Sequence, residues 1–240
     1  MASEDLLVGM NEGIEATILF AQVKRGKPLM KVDQNGNILR HKNHPSTGSA
    51  VLIGDVTDTL IRSFGPHEPP SFEKIPKLKP AFDKDGTVTA ANSSSISDGA
   101  AALVMMRESI AKKRDLKPIA RVLAHSSFAH EPAWFTTAPV GAIRKLLKTV
   151  DWNINDVDLF EINEAFAVVT MAAMKDLNLP AEKVNVHGGA CALGHPVGAS
   201  GTRILVTLIS ALQKYNKTRG IASLCIGGGE ATAMAVEVLS

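Results

Sequence analysis

The chain has 240 residues, of which 45% are hydrophobic and 21% are charged, and its formal net charge is +2. These values are typical of a globular protein with a core of ordinary size. So small a net charge leaves no clustered basic excess, and we expect no nucleic-acid partner. We also expect no membrane span, because the sequence contains no run of about 18 apolar residues.

The cysteine count bears on the compartment. Cys191 and Cys225 are the two cysteines of the sequence, which is too few for a disulfide framework. Disulfides persist mainly in oxidising compartments, so two cysteines in separate motifs favour a reducing one. We therefore expect a cytoplasmic protein, or one of an organelle matrix.

The N-terminal third of the sequence carries weak structural signals. The pattern predicts a helix from Leu6 to Val23, and a short apolar run follows at Ala50–Ile53. The segment Gly65–Pro70 is typical of a linker, because its prolines fix φ and remove backbone donors. We interpret residues 1–77 as an irregular N-terminal segment without a family match.

Stronger signals begin at Leu78. Residues 78–117 are predicted to be a linker and loop region, which includes the polar run Asn92–Gly99. The apolar run Ala100–Met106 suits a buried strand, although its alanines also fit a helix. Arg107–Arg114 is predicted to be helical.

Strands and helices alternate over residues 118–240, which we predict to be the main domain. The order of types predicts a layered α/β domain with a mixed sheet. The predicted elements are a strand at Ile119–Ala124, a helix at Pro139–Val150, a strand at Val157–Ile162, a helix at Asn163–Lys175, a short strand at Val184–Val186, a helix at Gly201–Gln213 and strands at Ile221–Ile226 and Ala231–Leu239.

A glycine-rich turn before the helix at Gly201–Gln213 contains a histidine. His195 is followed by Pro196, which disfavours helical geometry at the histidine, and Gly194 and Gly198 allow a close approach of backbone or substrate. A neutral imidazole there can accept a proton from a thiol or hydrogen-bond to a developing oxyanion. The alternative is a surface-loop histidine without a catalytic role.

A strand-like run ends at Cys225, shortly before Gly227, Gly228 and Gly229. Backbone N–H groups of such a turn can face an anion, and a thiol with a reference pKa of about 8.5 can serve as an acid or a base once it is tuned. The alternative is a buried structural cysteine, since unpaired cysteines often pack as small hydrophobes. We interpret Cys191 as a packing residue.

Asn163 lies at a predicted boundary between a strand and a helix. Asparagine at such a position commonly caps the helix, and the functional alternative is an amide that fixes a water or a substrate carbonyl. The adjacent Glu164 would lie in the first turn of that helix, where the macrodipole favours a carboxylate. It could also orient His195.

One pair of histidines has a spacing found in metal sites. His41 and His44 are three residues apart, but no further cysteine or aspartate stands at ligand spacing. Two histidines alone are weak support for a metal ion, and we predict no metal site.

Three motifs follow one another along the chain: Asn163-Glu164-Ala165-Phe166, Gly194-His195-Pro196 and Cys225-Ile226-Gly227-Gly228-Gly229. With these motifs, the sequence from about Leu78 to its end resembles the C-terminal part of a thiolase of the acetyl-CoA C-acetyltransferase type. The resemblance implies a thiolase-like layered α/β domain with a mixed five-stranded sheet and flanking helices. The related ketoacyl synthases have a histidine where this chain has Cys225, which favours a thiolase.

The resemblance also implies roles for individual residues. His195 would activate a nucleophilic thiol and help to bind the thioester oxygen, and Cys225 would act as acid or base on the α-proton of the second acyl-CoA. Asn163 would hold the water of one oxyanion hole, and the backbone N–H of Gly227 would contribute to the other. The implied substrate-binding residues are Ser94 for the pantetheine of coenzyme A and Phe166 for the acyl pocket.

The implied activity is that of a thiolase-type acyl-CoA C-acyltransferase of fatty acid metabolism. It would transfer an acetyl group between acyl-CoA and CoA, by cleavage of a C–C bond or by Claisen condensation. Acyl-CoA and CoA would be its small-molecule partners, with no tightly bound cofactor. The resemblance further implies a homo-oligomer.

The cysteine that becomes acylated in thiolases has no counterpart before Leu78, where the sequence contains no cysteine. Two hypotheses therefore stand side by side. The chain is an acyltransferase, or it is a catalytically incomplete C-terminal module that is structural, binds CoA, pairs with a separate thiolase N-terminal half or is a truncated gene product. Since the two-step reaction needs a covalent acyl-enzyme, we predict negligible thiolysis by this chain alone.

Overall fold

The computed structural model describes residues 73–239 and, before them, the backbone of three strands. These strands are β1 (Ala16–Val23), β2 (Lys31–Val32) and β3 (Ile38–Leu39), of which β2 and β3 pair antiparallel. The helix predicted from Leu6 to Val23 is wrong for the part that forms β1, whose threonine, isoleucine, phenylalanine and valine suit a strand. The apolar run Ala50–Ile53 lies outside the described residues.

The next two elements are β4 (Gly99–Met106) and α1 (Glu108–Lys113). β4 pairs antiparallel with β1, with Gly99 opposite Val23 and Met106 opposite Ala16. The sequence left strand and helix open for this run, and pairing with β1 makes it a strand. It is not the buried strand that was expected, because none of its residues is fully buried. Half-buried and exposed residues alternate along most of β4, as expected for a strand covered on one face.

The main domain alternates strands and helices as predicted. The 3₁₀ turns between its elements are short, except for the segment Pro132–Thr137 before the second helix. The regular elements are β5 (Ala120–Ala129), α2 (Ala138–Val150), β6 (Leu159–Ile162), α3 (Ala167–Leu177), α4 (Ala190–Leu193), α5 (Ser200–Lys214), β7 (Arg219–Ile226) and β8 (Glu230–Val238).

The sheet of the main domain has four strands among the described residues, in the order β5-β8-β7-β6. β8 is antiparallel to both of its neighbours, and β6 is parallel to β7, so the sheet is mixed as predicted. The predicted number of five strands is wrong. The candidate fifth strand forms a single bridge, from Val184 to Phe160, because the next residue, Asn185, adopts a left-handed conformation with φ of 48°.

Helices cover both faces of this sheet. On one face, Phe160 and Ile162 of β6 belong to a core that also includes residues of α2 and α3. On the other face, Leu159 of β6 packs with Leu208 and other residues of α5. Successive side chains of a strand point to opposite faces, so β6 is buried on both sides and connects the two cores.

Two local contacts set the distance between α2 and β5. The Ser126 hydroxyl donates a hydrogen bond of 2.7 Å to the carbonyl oxygen of Ala142 in α2. One residue earlier, Gly141 lies so close to the Phe128 ring that a Cβ there would overlap it.

No helix among residues 73–239 combines the length and the apolar character that a membrane crossing requires.

Candidate active site

The residues predicted to be catalytic gather at one edge of the sheet. Because β6 and β7 are parallel, their carboxyl ends lie at the same edge. Asn163 directly follows β6, and its backbone N–H donates a hydrogen bond of 2.9 Å to the carbonyl oxygen of Ser223 in β7. Two residues beyond Ser223, β7 reaches Cys225. The edge therefore brings the asparagine and the cysteine together from distant parts of the sequence.

Asn163 does not cap a helix. α3 begins at Ala167, four residues later than the predicted start, and Phe166 before it is extended, with φ of −136° and ψ of 152°. The Asn163 side chain is instead buried, and its Nδ2 lies 3.4 Å from Nε2 of His195. The amide is thus a direct partner of the imidazole.

His195 is half-buried and held on both ring nitrogens. Its Nδ1 lies 2.6 Å from the hydroxyl oxygen of Ser200, in the first turn of α5, and its Nε2 faces Asn163. The backbone N–H of His195 donates a hydrogen bond of 2.8 Å to the carbonyl oxygen of Ser95. These contacts do not fit a free surface-loop histidine.

The surroundings of His195 favour its neutral form. Burial lowers the pKa of the imidazole below its usual range, and the positive charge of Arg203 lowers it further. Both effects act against the imidazolium, because desolvation and a like charge each disfavour a charged group. A neutral imidazole at physiological pH can accept a proton.

Cys225 remains a protonated thiol at neutral pH. Its side chain is half-buried against the core on the α2 and α3 face of the sheet, and this burial raises its pKa. Downstream, Gly227 is exposed, and a Cβ placed there would meet no atom within 4 Å. The thiol thus stands beside a stretch of backbone that a ligand can approach.

The turn between β7 and β8 requires a glycine at its last position. Gly229 has a φ of 99°, and a Cβ there would overlap the carbonyl oxygen of His130. The backbone N–H of His130 donates in return to the carbonyl oxygen of Gly229, at 3.0 Å. This closure fixes the path of the chain beyond Cys225.

Glu164 and Cys191 form a structural contact beside the site. The Glu164 carboxylate accepts hydrogen bonds of 3.0 Å from the backbone N–H of Cys191, in the first turn of α4, and from the side chain of Asn185. It therefore lies at the start of α4 and not in the first turn of α3, as predicted. Burial and the Glu164 charge raise the pKa of the Cys191 thiol to about 11, which fits a packing residue.

The two predicted substrate-binding residues lie beside the loop that follows β6. The hydroxyl and the backbone N–H of Ser94 both donate to the carbonyl oxygen of Ala165, at 2.9 and 3.2 Å. The Phe166 ring lies edge-on to the rings of Phe82 and Phe135, with centroids 6.2 and 6.3 Å away. The structure thus places the 92–99 loop and an aromatic cluster next to Asn163.

Three residues of the site were missed from the sequence: Ser200, Arg203 and Glu161. Ser200 binds the histidine, and Arg203 donates a hydrogen bond of 3.5 Å to the Asn163 side-chain oxygen. The sequence did contain a signal for Glu161 and Arg203. Glu161 interrupts the apolar run of β6, and Arg203 lies on the apolar face of a helix. Opposite charges within two buried segments predict a buried ion pair.

Within residues 73–239, no group of three or more histidine, cysteine, aspartate or glutamate side chains could hold a metal ion. His41 and His44, for which we predicted no metal site, lie outside the described residues.

Comparison with known sequences identifies two consecutive family matches. The model of the thiolase N-terminal domain matches residues 54–109, and that of the thiolase C-terminal domain matches residues 116–238. Cytosolic acetyl-CoA acetyltransferase of Mus musculus is 50% identical over 184 residues, which are 76% of this chain and 46% of that protein. Acetyl-CoA acetyltransferase of Escherichia coli K12 is 53% identical over 168 residues, 70% of this chain and 43% of that protein.

Solved structures show the same relationship. The Bacillus anthracis acetyl-CoA acetyltransferase superposes with a TM-score of 0.68 at 49% identity, over 70% of this chain and 42% of that one. Human mitochondrial 3-ketoacyl-CoA thiolase superposes with a TM-score of 0.69 at 40% identity, over 71% and 43%. The chain thus spans less than half the length of the relatives it matches. With both family models matched and the layered fold shared, the chain belongs to the thiolase family.

Proposed function

We propose that this chain supplies the acid/base side of a thiolase-type acyl-CoA C-acyltransferase active site. The observation that carries the proposal is the contact of 3.4 Å between the Asn163 amide and the His195 ring, at the edge of the sheet where β7 reaches Cys225. A neutral imidazole and a protonated thiol are the two groups that a C–C bond cleavage next to a thioester requires. Coenzyme A thioesters are the proposed substrates.

In the first half of thiolysis, Nε2 of His195 takes the proton of an acceptor thiol. The acceptor thiolate attacks the ketone carbon of a 3-ketoacyl-CoA, and the new Nε2–H donates to the oxygen that becomes negative. When the C–C bond breaks, its electron pair goes to the α-carbon, which takes a proton from Cys225. Acetyl-CoA leaves, and the acyl group stays on the acceptor sulfur.

The second half returns the groups to their starting states. The Cys225 thiolate takes the proton of an incoming CoA thiol, and the CoA sulfur attacks the acyl carbon. The acceptor thiolate leaves and recovers its proton from His195. In this scheme, the water held by Asn163 and the backbone N–H of Gly227 stabilise the two oxyanions, while Ser94 and Phe166 line the pantetheine and acyl positions.

The acceptor thiol comes from outside the two cysteines of this sequence. Cys225 has the acid/base role, and the Cys191 thiol donates a weak hydrogen bond of 3.8 Å to the carbonyl oxygen of Glu164. Beside the histidine, Ile96 and Val197 are 83% and 63% exposed, an apolar edge of the kind that subunit contacts cover. We assign this edge to a nucleophile-bearing thiolase N-terminal half, within a homo-oligomer or as a separate chain.

No tightly bound cofactor enters the proposed reaction, since CoA and acyl-CoA bind as substrates. Support for CoA binding comes from the Ascaris suum thiolase, whose structure was solved in complex with coenzyme A and is 49% identical to this chain. We further infer a cytoplasmic location. It is supported by two free cysteines and by a relative named as cytosolic.

The second candidate function is a CoA-binding or structural module without turnover, which the absence of a third cysteine favours. Thiolysis of acetoacetyl-CoA by CoA, followed at the enolate absorbance, separates the two functions. We expect no turnover by the chain alone, and turnover when a thiolase N-terminal half with the acylated cysteine is added. A mixture that forms a stable complex and binds CoA by calorimetry without turnover would establish the module instead.

A further inference from the structure

A buried ion pair lies behind the contact between Asn163 and His195. Oε2 of Glu161 in β6 is 3.6 Å from Nη1 of Arg203 in α5, and the two side chains are 2% and 9% exposed. Removing two charges from water often costs as much as their attraction returns, so apolar residues of similar volume are commonly as stable. Stability alone is therefore a weak reason for an ion pair at this place.

The ion pair and the histidine contacts come from the same two elements. Glu161 and Asn163 are two residues apart at the end of β6, so both point toward α5. Ser200 and Arg203 are three residues apart in α5, so both lie on one face of that helix. Each element thus contributes one residue to the ion pair and one residue that contacts His195.

The guanidinium determines which way the Asn163 amide points. Arg203 has donors and no acceptor, and its Nη2 donates to Oδ1 of Asn163 at 3.5 Å. The amide nitrogen must then face His195, where Nδ2 is 3.4 Å from Nε2. Because Nδ2 is a donor, Nε2 must accept.

The other ring nitrogen agrees with this direction. Nδ1 of His195 lies 2.6 Å from the hydroxyl oxygen of Ser200, which can accept a hydrogen bond from a protonated Nδ1. The Ser200 hydroxyl in turn donates to the carbonyl oxygen of Pro196 at 3.1 Å. All the donors from Arg203 to Ser200 point the same way. A reversed amide would set donor against donor at Arg203.

We propose that Arg203 is a positioning residue that, through the Asn163 amide, fixes His195 in the Nδ1–H tautomer, with Nε2 unprotonated and its lone pair facing the Asn163 amide. Glu161 holds the guanidinium in place. The catalytic meaning of this arrangement rests on the proposed function, whereas the tautomer is a property of the chain itself.

The charged groups around His195 are consistent with a neutral ring. Burial and the positive charge of Arg203 lower the pKa of His195, whereas Glu161 contacts Arg203 and Glu164 contacts Cys191 and Asn185. Burial also raises the pKa of Glu161, an effect that Arg203 opposes. A tautomer preference can therefore be read at neutral pH without interference from the imidazolium.

The test is nuclear magnetic resonance of the imidazole nitrogens in the ¹⁵N-labelled full chain, with His195 assigned from the His195→Gln variant. We expect the wild type to show a protonated Nδ1 and an unprotonated Nε2. The double variant Glu161→Gln/Arg203→Met removes the donor and its counter-ion together. In that variant we expect the Nε2–H tautomer to appear, and Arg203→Lys, which retains a donor, should restore Nδ1–H.

Two further variants keep the proposal falsifiable if the double variant does not fold. Asn163→Asp replaces the amide donor by an acceptor and should place a proton on Nε2. Thr207→Val removes another hydrogen-bond partner of Arg203, at 3.5 Å, and should leave the tautomer unchanged. A wild-type ring protonated on Nε2, or an unchanged Nδ1–H ring in any folded variant of the two, Asn163→Asp or the double variant, would overturn the proposal. Neither readout requires turnover, so a failed thiolysis assay would leave this result intact.

Discussion

The fold shifts the pKa values of His195 and of the two cysteines in different directions. Burial lowers the pKa of His195 and raises the pKa of Cys225, so each is neutral near physiological pH. Cys191 is neutral as well, with its pKa raised to about 11, but its backbone and thiol are both engaged by Glu164. The two cysteines therefore have a similar charge state but different hydrogen-bond partners.

The two cysteines should differ in the effect of replacement. In an assembly competent for thiolysis, Cys225→Ser should lower kcat by about 10²-fold or more, because a proton-transfer group is lost. Cys191→Ser removes a weak hydrogen bond and should change kcat by less than about threefold. Steady-state kinetics of the two variants measures the difference. Equal losses would refute the roles assigned to them.

His195 should make stability dependent on pH. Because its pKa is lowered in the folded state, the neutral ring contributes stability that is fully present above the unfolded pKa of about 6.5 and is lost as pH falls through the folded pKa. Urea unfolding of wild type and His195→Gln from pH 8 to pH 5 should show a smaller loss of stability in the variant. His125→Gln, at an exposed position on β5, is the control. A variant that loses as much stability as the wild type would contradict this account.

Among the elements, α5 combines a polar start with an apolar body. Ser200 and Arg203 in its first turns contact the site, and further along Leu208 is fully buried against the sheet. At Gly220 of β7, an added Cβ would come within 2.8 Å of the Leu208 side chain. The packing of the helix body thus sets the position of the end that contacts His195 and Asn163.

Truncation of that packing should be costly. Leu208→Ala should lower the free energy of unfolding by about 2–5 kcal/mol, because it removes buried methyl groups and leaves a cavity. Gln213→Ala, exposed on the same helix, should change it by less than about 0.5 kcal/mol. Urea denaturation of both variants measures the contrast. A similar small change in both would mean that α5 packs differently.

Elements with a clear periodic pattern of apolar residues could be predicted from the sequence. Element boundaries that depend on contacts with distant segments could not. The helix predicted at Gly201–Gln213 is confirmed as α5. Its apolar residues were recognisable because they form the face that packs on the sheet. The start of α3 was placed four residues too early, because Ser93 bridges Phe166 and Ser94 binds Ala165. Those contacts keep residues 163–166 out of the helix, and they join segments about 70 residues apart that no local pattern links.

The candidate site could be predicted in part. Asn163 and His195 were identified from their glycine-rich or polar settings, and the structure brings them within hydrogen-bond distance. The ion pair of Glu161 and Arg203 was not identified, although each charge interrupts an otherwise apolar strand or helix face. The roles of Cys225, Gly227, Ser94 and Phe166 stay predictions.

At the scale of the whole molecule, the chain matches both thiolase domain models but spans less than half the length of its relatives. The two matches meet between residues 109 and 116, within the predicted linker region 78–117. The match of the N-terminal domain model to residues 54–109 extends into the segment 1–77, for which no family match was expected. The division into residues 1–77, 78–117 and 118–240 stays a prediction. So does the homo-oligomer, whose apolar contact edge would include Ile96 and Val197.

The central claim is that this chain provides proton transfer to an acyl acceptor that lies elsewhere. The most direct test is mass spectrometry of both polypeptides, this chain and an added thiolase N-terminal half. Each is incubated with acetoacetyl-CoA, alone and together, and the reaction is quenched with acid. We predict an acetoacetyl-CoA-dependent acetyl adduct on the cysteine of the added half, formed when this chain is present and lost with His195→Gln. An acetyl adduct on Cys191 or Cys225, or equal acylation of the added half without this chain, would contradict the account.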